Sequence, residues 1–86
     1  MFTVQLTPRA EKDLGRLPPN IQKHIRKKLE SNAGLPDPLV RAKPLVDLPP
    51  NTHRFRIGKY RASFYLENNM IVVDCIEIRG SAYERH

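Results

Sequence analysis

The dipeptide Gly58-Lys59 limits what this chain can fold into more than any other feature, because it separates two alternating segments. The segments on either side, RFRI and YRASFY, alternate between apolar side chains and charged or small ones, which is typical of half-buried β-strands. Glycine at the first of two central positions is what a type II′ hairpin turn requires. The sequence therefore predicts an antiparallel hairpin in which Ile57 lies opposite Tyr60.

The register of this hairpin sorts its side chains onto two faces, because successive residues of a strand point to opposite sides. The face expected to pack on the rest of the protein contains Phe55, Ile57, Tyr60, Ala62 and Phe64. The other face contains Arg54, Arg56, Arg61, Ser63 and Tyr65. Arg56 would lie opposite Arg61, and like charges so placed repel by on the order of tenths of a kcal/mol. An anion that offsets this repulsion could be Asp74 of the next strand or a bound phosphate. An ordinary solvated face with ion pairs fits the spacing equally well.

The remaining segments predict an α+β domain. Thr7-Pro8 favours a helix start, and Pro18-Pro19 separates that helix from a second one. We expect a strand at residues 2–6, helices at 8–17 and from 19 to about 33, a proline-rich loop at 33–51, and strands at about 52–57, 60–66 and 70–78. The order β-α-α-β-β-β predicts a four-stranded, mainly antiparallel sheet with an N-terminal helical hairpin packed on one face, in one domain covering residues 1–86.

The charge of the chain favours a polyanionic partner. The net charge is +6 over 86 residues, and such an excess in a small domain commonly accompanies nucleic-acid binding, with solubility as the alternative explanation. Cys75 is the only cysteine, and no cysteine or histidine has metal-ligand spacing, so no disulfide, metal or cofactor is expected. Without a signal peptide or a run of about 18 apolar residues, the sequence predicts a soluble, cytoplasmic protein with no membrane partner.

Five segments resemble the RelE/ParE toxin superfamily in order and spacing: TPRAEKDLGRLP, IQKHIRKKLE, KPL, HRFRIGKYRASFY and IEIRGSAY. The most specific part is RFRIGKYR followed by the terminal R-x-x-x-Y. The resemblance implies a RelE-like, microbial-ribonuclease-type fold and the toxin of a type II toxin–antitoxin system. RelE-like members cut mRNA in the ribosomal A site, so the resemblance implies a ribosome-dependent mRNA endonuclease, or mRNA interferase, that inhibits translation. The alternatives are a ParE-like inhibitor of DNA gyrase and an inactive relative that only binds an antitoxin.

The resemblance also implies which residues take part in cleavage. RelE-like enzymes use the neighbouring 2′-OH as the nucleophile, without a metal, and positive groups stabilise the charge that develops on the phosphate. Arg61 matches the arginine that has this role after the third-strand tyrosine. Arg79 and Tyr83 match the R-x-x-x-Y ending, and Arg54 and Arg56 stand where the family has two lysines, one of which helps as the base.

Arginine at positions 54 and 56 leaves the proton acceptor open, because arginine stays protonated. The candidates are Tyr83, Glu77, His53 and His86, although the strand count directs His53 toward the core. The cations expected to bind ribosomal or mRNA phosphates are Lys23, Arg26, Lys27, Lys28 and Lys59, with an ordinary solvated helix face as the alternative for the first four. The resemblance further implies a cognate antitoxin, the ribosome and mRNA as partners, and a toxin–antitoxin hetero-oligomer.

Overall fold

The computed structural model describes residues 2–46 and 48–78. Its elements are, in chain order, β1 (Thr3–Leu6), α1 (Pro8–Gly15), α2 (Pro19–Ala33), a 3₁₀ helix (Pro38–Arg41), β2 (Ala42–Pro44), β3 (His53–Ile57), β4 (Tyr60–Glu67) and β5 (Met70–Ile78). The predicted helices and strands are all present in the predicted order, with one additional strand, and the bounds of the predicted strands differ from the observed ones by at most one residue. The first helix ends at Gly15 rather than at residue 17.

Both long helices begin where the sequence predicts. The hydroxyl of Thr7 accepts a hydrogen bond from the Ala10 amide at 3.1 Å, and Pro8 occupies the first turn, where a missing N–H leaves no bond unmade. Pro19 opens α2 in the same way, and Gly34 follows its last residue. The two helices therefore form a hairpin that the Pro18-Pro19 pair divides.

Within the described residues the sheet has five strands, in the order β1-β5-β4-β3-β2, and this corrects the predicted four. The additional strand, β2, lies in the segment predicted as a loop and pairs with β3, with Ala42 opposite Phe55 and Pro44 opposite His53. The sequence does not predict β2 because the strand has only three residues and contains a proline. Proline is tolerated there because β2 is at the edge of the sheet. The sheet is also mixed, since β1 runs parallel to β5 while the other pairs are antiparallel.

The core lies between the helices and one face of this sheet. Phe55 and Phe64, both fully buried, stack with their ring centroids 4.3 Å apart. Around them pack Leu14 of α1 and Ile25 and Leu29 of α2. Each such side chain contributes about 1.5–3 kcal/mol on burial, so the helical hairpin is held mainly by this contact. The apolar face predicted for the Gly58-Lys59 hairpin is confirmed as the core face.

No helix among the described residues is long and apolar enough to cross a membrane.

Candidate functional site

The sheet face opposite the helices carries Arg54, Arg56 and Arg61, and we call it the arginine face. Gly58 has a φ of 59°, in the left-handed region that a type II′ turn requires at its first central position. The turn fixes the predicted register, so that Arg56 lies opposite Arg61 in the neighbouring strand. Because paired residues of antiparallel strands point to the same side, these two guanidinium groups share one face of the hairpin.

A β-bulge in β5 decides which residue lies opposite Arg61. Counting from the turn between β4 and β5 without interruption would place Ile76 there. The observed register instead shifts by one residue after Val73, which pairs with Phe64, so that Asp74 is the extra residue and Glu77 lies opposite Arg61. The bulge therefore directs the Glu77 carboxylate to the arginine face and Ile76 to the core.

Side chains of α1 hold the edge of β5 at this bulge. β1 pairs with β5 only as far as Val73, so beyond that point the backbone groups on the edge of β5 need other partners. The Thr7 hydroxyl donates a hydrogen bond to the Asp74 carbonyl at 3.1 Å, and the Ile76 amide donates to the Asp13 carboxylate at 3.0 Å. The start of α1 and the facing of Glu77 are thus structurally linked.

The result is a row of three charged side chains across three strands, Arg56, Arg61 and Glu77, which we call the Arg–Glu row. Arg56 is exposed, while Arg61 and Glu77 are partly buried. Beside it a second row runs through Lys43, Arg54, Ser63 and Cys75. The two rows contain four cations and one carboxylate, so this face attracts anions, and arginine binds phosphate oxygens through two donors at once.

The Cys75 thiol at the end of the second row is poorly suited to act as a nucleophile near neutral pH. Burial raises its pKa above the usual value of 9.0, and the nearby carboxylates of Glu77 and Asp74 raise it further, whereas the hydrogen bond with Ser63 and the charge of Arg9 lower it. The thiol therefore stays protonated. The His, Cys, Asp and Glu residues that the structure describes form no cluster able to hold a metal ion.

The two candidate bases that the structure describes lie on opposite faces of the sheet. His53 lies on the core side, stacked on Phe64 with ring centroids 5.9 Å apart, as the strand count predicts. Glu77 lies on the arginine face, which the sequence left open. Arg79, Tyr83 and His86 lie outside the described residues.

The predicted binding cations are divided between α2, which carries four of them, and the turn between β3 and β4, which carries the fifth. Lys59 lies in the hairpin turn, with its Nζ 5.9 Å from the Tyr60 ring centroid. Lys23, Lys27 and Lys28 are exposed on α2, which packs on the other side of the sheet from the Arg–Glu row. Arg26 forms an ion pair with Glu11 of α1 at 2.9 Å, so it also joins the two helices.

Strand alternation alone predicts neither the place of Lys43 nor the face to which Glu77 points. Lys43 belongs to the short strand β2, in a segment that the sequence predicts as a loop. For Glu77 the sequence does carry one signal: Asp74 and Glu77 are three residues apart in MIVVDCIEI, and an odd spacing of two acidic residues does not suit one face of a regular strand. A bulge between them is one way to resolve that mismatch.

Comparison with known proteins agrees with this architecture. The family described as "ParE toxin of type II toxin-antitoxin system, parDE" matches residues 4–82. No curated protein sequence matches the chain significantly. The toxin–antitoxin complex RelBE2 from Mycobacterium tuberculosis contains a chain with 27% identity and a TM-score of 0.79, over 93% of both chains.

Two further solved structures are similar in fold. A chain of the intact RelBE toxin–antitoxin complex from Escherichia coli is 15% identical, with a TM-score of 0.69 over 94% of this chain and 99% of that one. A chain of the RelB–RelE complex from Methanococcus jannaschii is 22% identical, with a TM-score of 0.64 over 95% and 98%. Because the family match spans nearly all of the sequence and the fold agrees with it, the chain belongs to the RelE/ParE superfamily of type II toxin–antitoxin toxins.

Proposed function

We propose that this toxin is a ribosome-dependent mRNA endonuclease that inhibits translation. The observation that carries the proposal is the Arg–Glu row, in which two guanidinium groups and one carboxylate share a face of the sheet. This set combines what cleavage of RNA by its own 2′-OH needs: cations at the phosphate and a group that takes up a proton.

In the proposed mechanism, Arg56 and Arg61 hold the scissile phosphate and stabilise the negative charge that develops on it. The Glu77 carboxylate accepts the proton of the 2′-OH as the O2′–P bond forms and the P–O5′ bond breaks. The products are a 2′,3′-cyclic phosphate and a 5′-hydroxyl, and the leaving oxygen takes its proton from Tyr83, the proposed acid. Arg54 and Arg79 complete the proposed catalytic set as further phosphate contacts.

The proposed partners follow from the family and from the charge of the surface. The neighbouring structures are toxin–antitoxin complexes, which supports a cognate antitoxin and a hetero-oligomer for this chain. Translating ribosomes and their mRNA are the proposed target, in the cytoplasm. The exposed cations proposed to contact ribosomal phosphates are Lys23, Arg26, Lys27, Lys28 and Lys59.

A second candidate is inhibition of DNA gyrase without cleavage of RNA. Two observations favour it: the matching family is described by its ParE toxin, and positions 54 and 56 hold arginine, which cannot act as a base. The Glu77 carboxylate opposite Arg61 supports the nuclease instead, because it supplies the missing proton acceptor from another strand.

The experiment that separates the two is a parallel assay of the purified protein in a translation extract and in a gyrase supercoiling reaction. The nuclease proposal expects loss of protein synthesis with shortened mRNA, and unchanged supercoiling. Inhibited supercoiling with intact mRNA would overturn it in favour of the gyrase inhibitor. Activity in neither assay, from folded protein, would identify an inactive relative.

A further inference from the structure

A groove of about 290 Å³ lies on the arginine face, beside the Arg–Glu row. We propose that it is a nucleobase subsite selective for guanine, and that it receives the base of a nucleotide next to the scissile phosphate. This inference rests on the proposed function, since it assigns part of the substrate of the same site. The volume of the groove is near the lower end of the range for small-molecule sites, which suits one nucleoside.

One wall of the groove is apolar. It consists of Leu48, Pro49 and Pro50, from the segment between β2 and β3, and Leu48 is 56% exposed. All three residues are exposed, so this wall presents apolar surface to water, and the faces of nucleobases are themselves apolar enough to pack on it. The groove is also lined by Ser63 and Cys75 of the sheet, which are both buried.

The end of the groove at the bulge is polar, and its groups already contact one another. The Asn51 side-chain amide donates a hydrogen bond to the Asp74 carboxylate at 3.1 Å, and the Arg9 guanidinium lies 3.9 Å from the same oxygen. The Asp74 side chain retains 21% exposure, so one side of the carboxylate still faces solvent. Among the described residues, no group donates a hydrogen bond to the buried Asn51 Oδ1.

This arrangement of donors and acceptors matches one base. The Asp74 carboxylate has about four acceptor positions, of which the hydrogen bond from Asn51 occupies one, and Arg9 beside it is a donor with no acceptor capacity. Guanine carries two adjacent donors, N1–H and the N2 amino group, next to the O6 acceptor. Adenine, cytosine and uracil each place a ring acceptor or a single donor where guanine has this pair. Guanine alone therefore satisfies Asp74 bidentately while presenting O6 toward Arg9.

The groove and the Arg–Glu row are adjacent parts of one surface. Glu77 belongs to the row and also lines the groove. Glu77 lies three positions after Asp74 along β5, which corresponds to about 10 Å in an extended strand. A nucleotide whose base contacts Asp74 can thus extend its phosphate toward Arg61.

The test measures binding of the four nucleoside 3′,5′-bisphosphates to the purified protein by titration calorimetry, since these carry a phosphate on either side of the sugar. Wild-type protein should bind the guanosine compound on the order of tenfold more tightly than the other three. Asp74→Asn should abolish that preference while changing the other three affinities by less than about twofold. Equal binding of all four, or an equal loss for all four in Asp74→Asn, would overturn the inference.

Two further variants keep the test decisive if Asp74→Asn does not fold. Arg9 is 69% exposed, so Arg9→Met should leave the fold intact and weaken only the guanosine compound. Arg16→Met, the same change just after the last residue of α1, is the matched control and should leave all four affinities unchanged. An Arg9→Met variant that binds all four compounds as the wild type does would count against the subsite.

The proposed function is tested separately, because its measurement is mRNA cleavage rather than nucleotide binding. Arg61→Ala should lower the affinity for all four bisphosphates alike through the phosphate, and leave the guanine preference in place. A guanine preference that depends on Asp74, in a protein that cuts no mRNA, would retain the subsite and reject the nuclease.

Discussion

At the scale of single residues, Arg61 lies between an arginine and a glutamate of the neighbouring strands. The Arg56–Arg61 pair opposes folding by on the order of tenths of a kcal/mol, and the carboxylate of Glu77 on the other side of Arg61 offsets it. A face that served folding alone would have little need for three arginines. In the proposed mechanism Arg56 and Arg61 instead face the negative charge that develops on the phosphate, and Glu77 takes up the proton.

Replacing Glu77 by glutamine tests its proposed role as the base. The variant keeps the size of the side chain but removes the proton acceptor, so we expect mRNA cleavage to slow by about 10²- to 10⁴-fold. The matched control is Glu67→Gln, an exposed residue at the far end of β4 that loses the same charge. A Glu77→Gln variant as active as Glu67→Gln would rule out the carboxylate as the base.

The Cys75 thiol predicts how stability depends on alkaline pH. Its pKa is raised in the folded state, so above pH 9.0 the unfolded chain releases this proton while the folded chain keeps it. The free energy of unfolding should therefore fall as pH rises through that range, with a slope of up to about 1.4 kcal/mol per pH unit from this group. Denaturant unfolding of the wild type and Cys75→Ala between about pH 8 and pH 10 measures it. Parallel curves for the two proteins would contradict the assignment.

At the scale of elements, the sequence predicts the register of the hairpin to the residue, whereas for β5 it predicts the bounds but not the pairing with β4. Gly58 fixes the turn, and alternation then determines every pair from Ile57–Tyr60 to Arg54–Ser63. In β5 the bulged segment is held by Thr7 and Asp13, more than 60 positions away along the chain, so the odd spacing of Asp74 and Glu77 can suggest a bulge but cannot fix its position. The same holds for β2, whose pairing is set by the neighbouring β3 rather than by its own three residues.

Asp13 offers a test of the link between α1 and the Arg–Glu row. Asp13→Ala leaves the Ile76 amide without its acceptor, which should lower the free energy of unfolding by about 1–3 kcal/mol. It should also lower the cleavage rate of the remaining folded protein, because the bulge that directs Glu77 loses a support. Asp13→Asn retains an acceptor oxygen and should restore most of both properties. Equal cleavage rates for folded Asp13→Ala and the wild type would show that the bulge does not need Asp13.

At the scale of the whole molecule, the excess positive charge is divided between two opposite surfaces. The arginine face carries the Arg–Glu row, and the exposed side of α2 carries Lys23, Lys27 and Lys28. The net charge of +6, known from the sequence, therefore predicted a polyanionic partner without showing where it binds. The roles of Arg79 and Tyr83, which lie beyond position 78, remain predictions from the sequence.

Anion binding distinguishes the two surfaces in the free protein. Phosphate or sulfate should raise the melting temperature above its value in chloride at equal ionic strength, because an anion that binds only the folded state stabilises it. For a domain of this size, about 1 kcal/mol corresponds to roughly 4–8 °C. Arg56→Gln/Arg61→Gln should abolish the rise, whereas Lys27→Gln/Lys28→Gln, with the same loss of charge on α2, should keep it. Loss of the effect in both double variants alike would indicate bulk electrostatics.

The most direct test of the account is primer extension on mRNA from a translation reaction containing the wild type or Arg61→Ala, with the same mRNA free of ribosomes alongside. We predict discrete cuts within the codon in the A site for the wild type, no cuts on free mRNA, and a loss of about 10²- to 10³-fold in Arg61→Ala. Intact mRNA in the presence of folded wild-type protein, or equal cutting by folded Arg61→Ala, would contradict the central claim that the Arg–Glu row cleaves RNA.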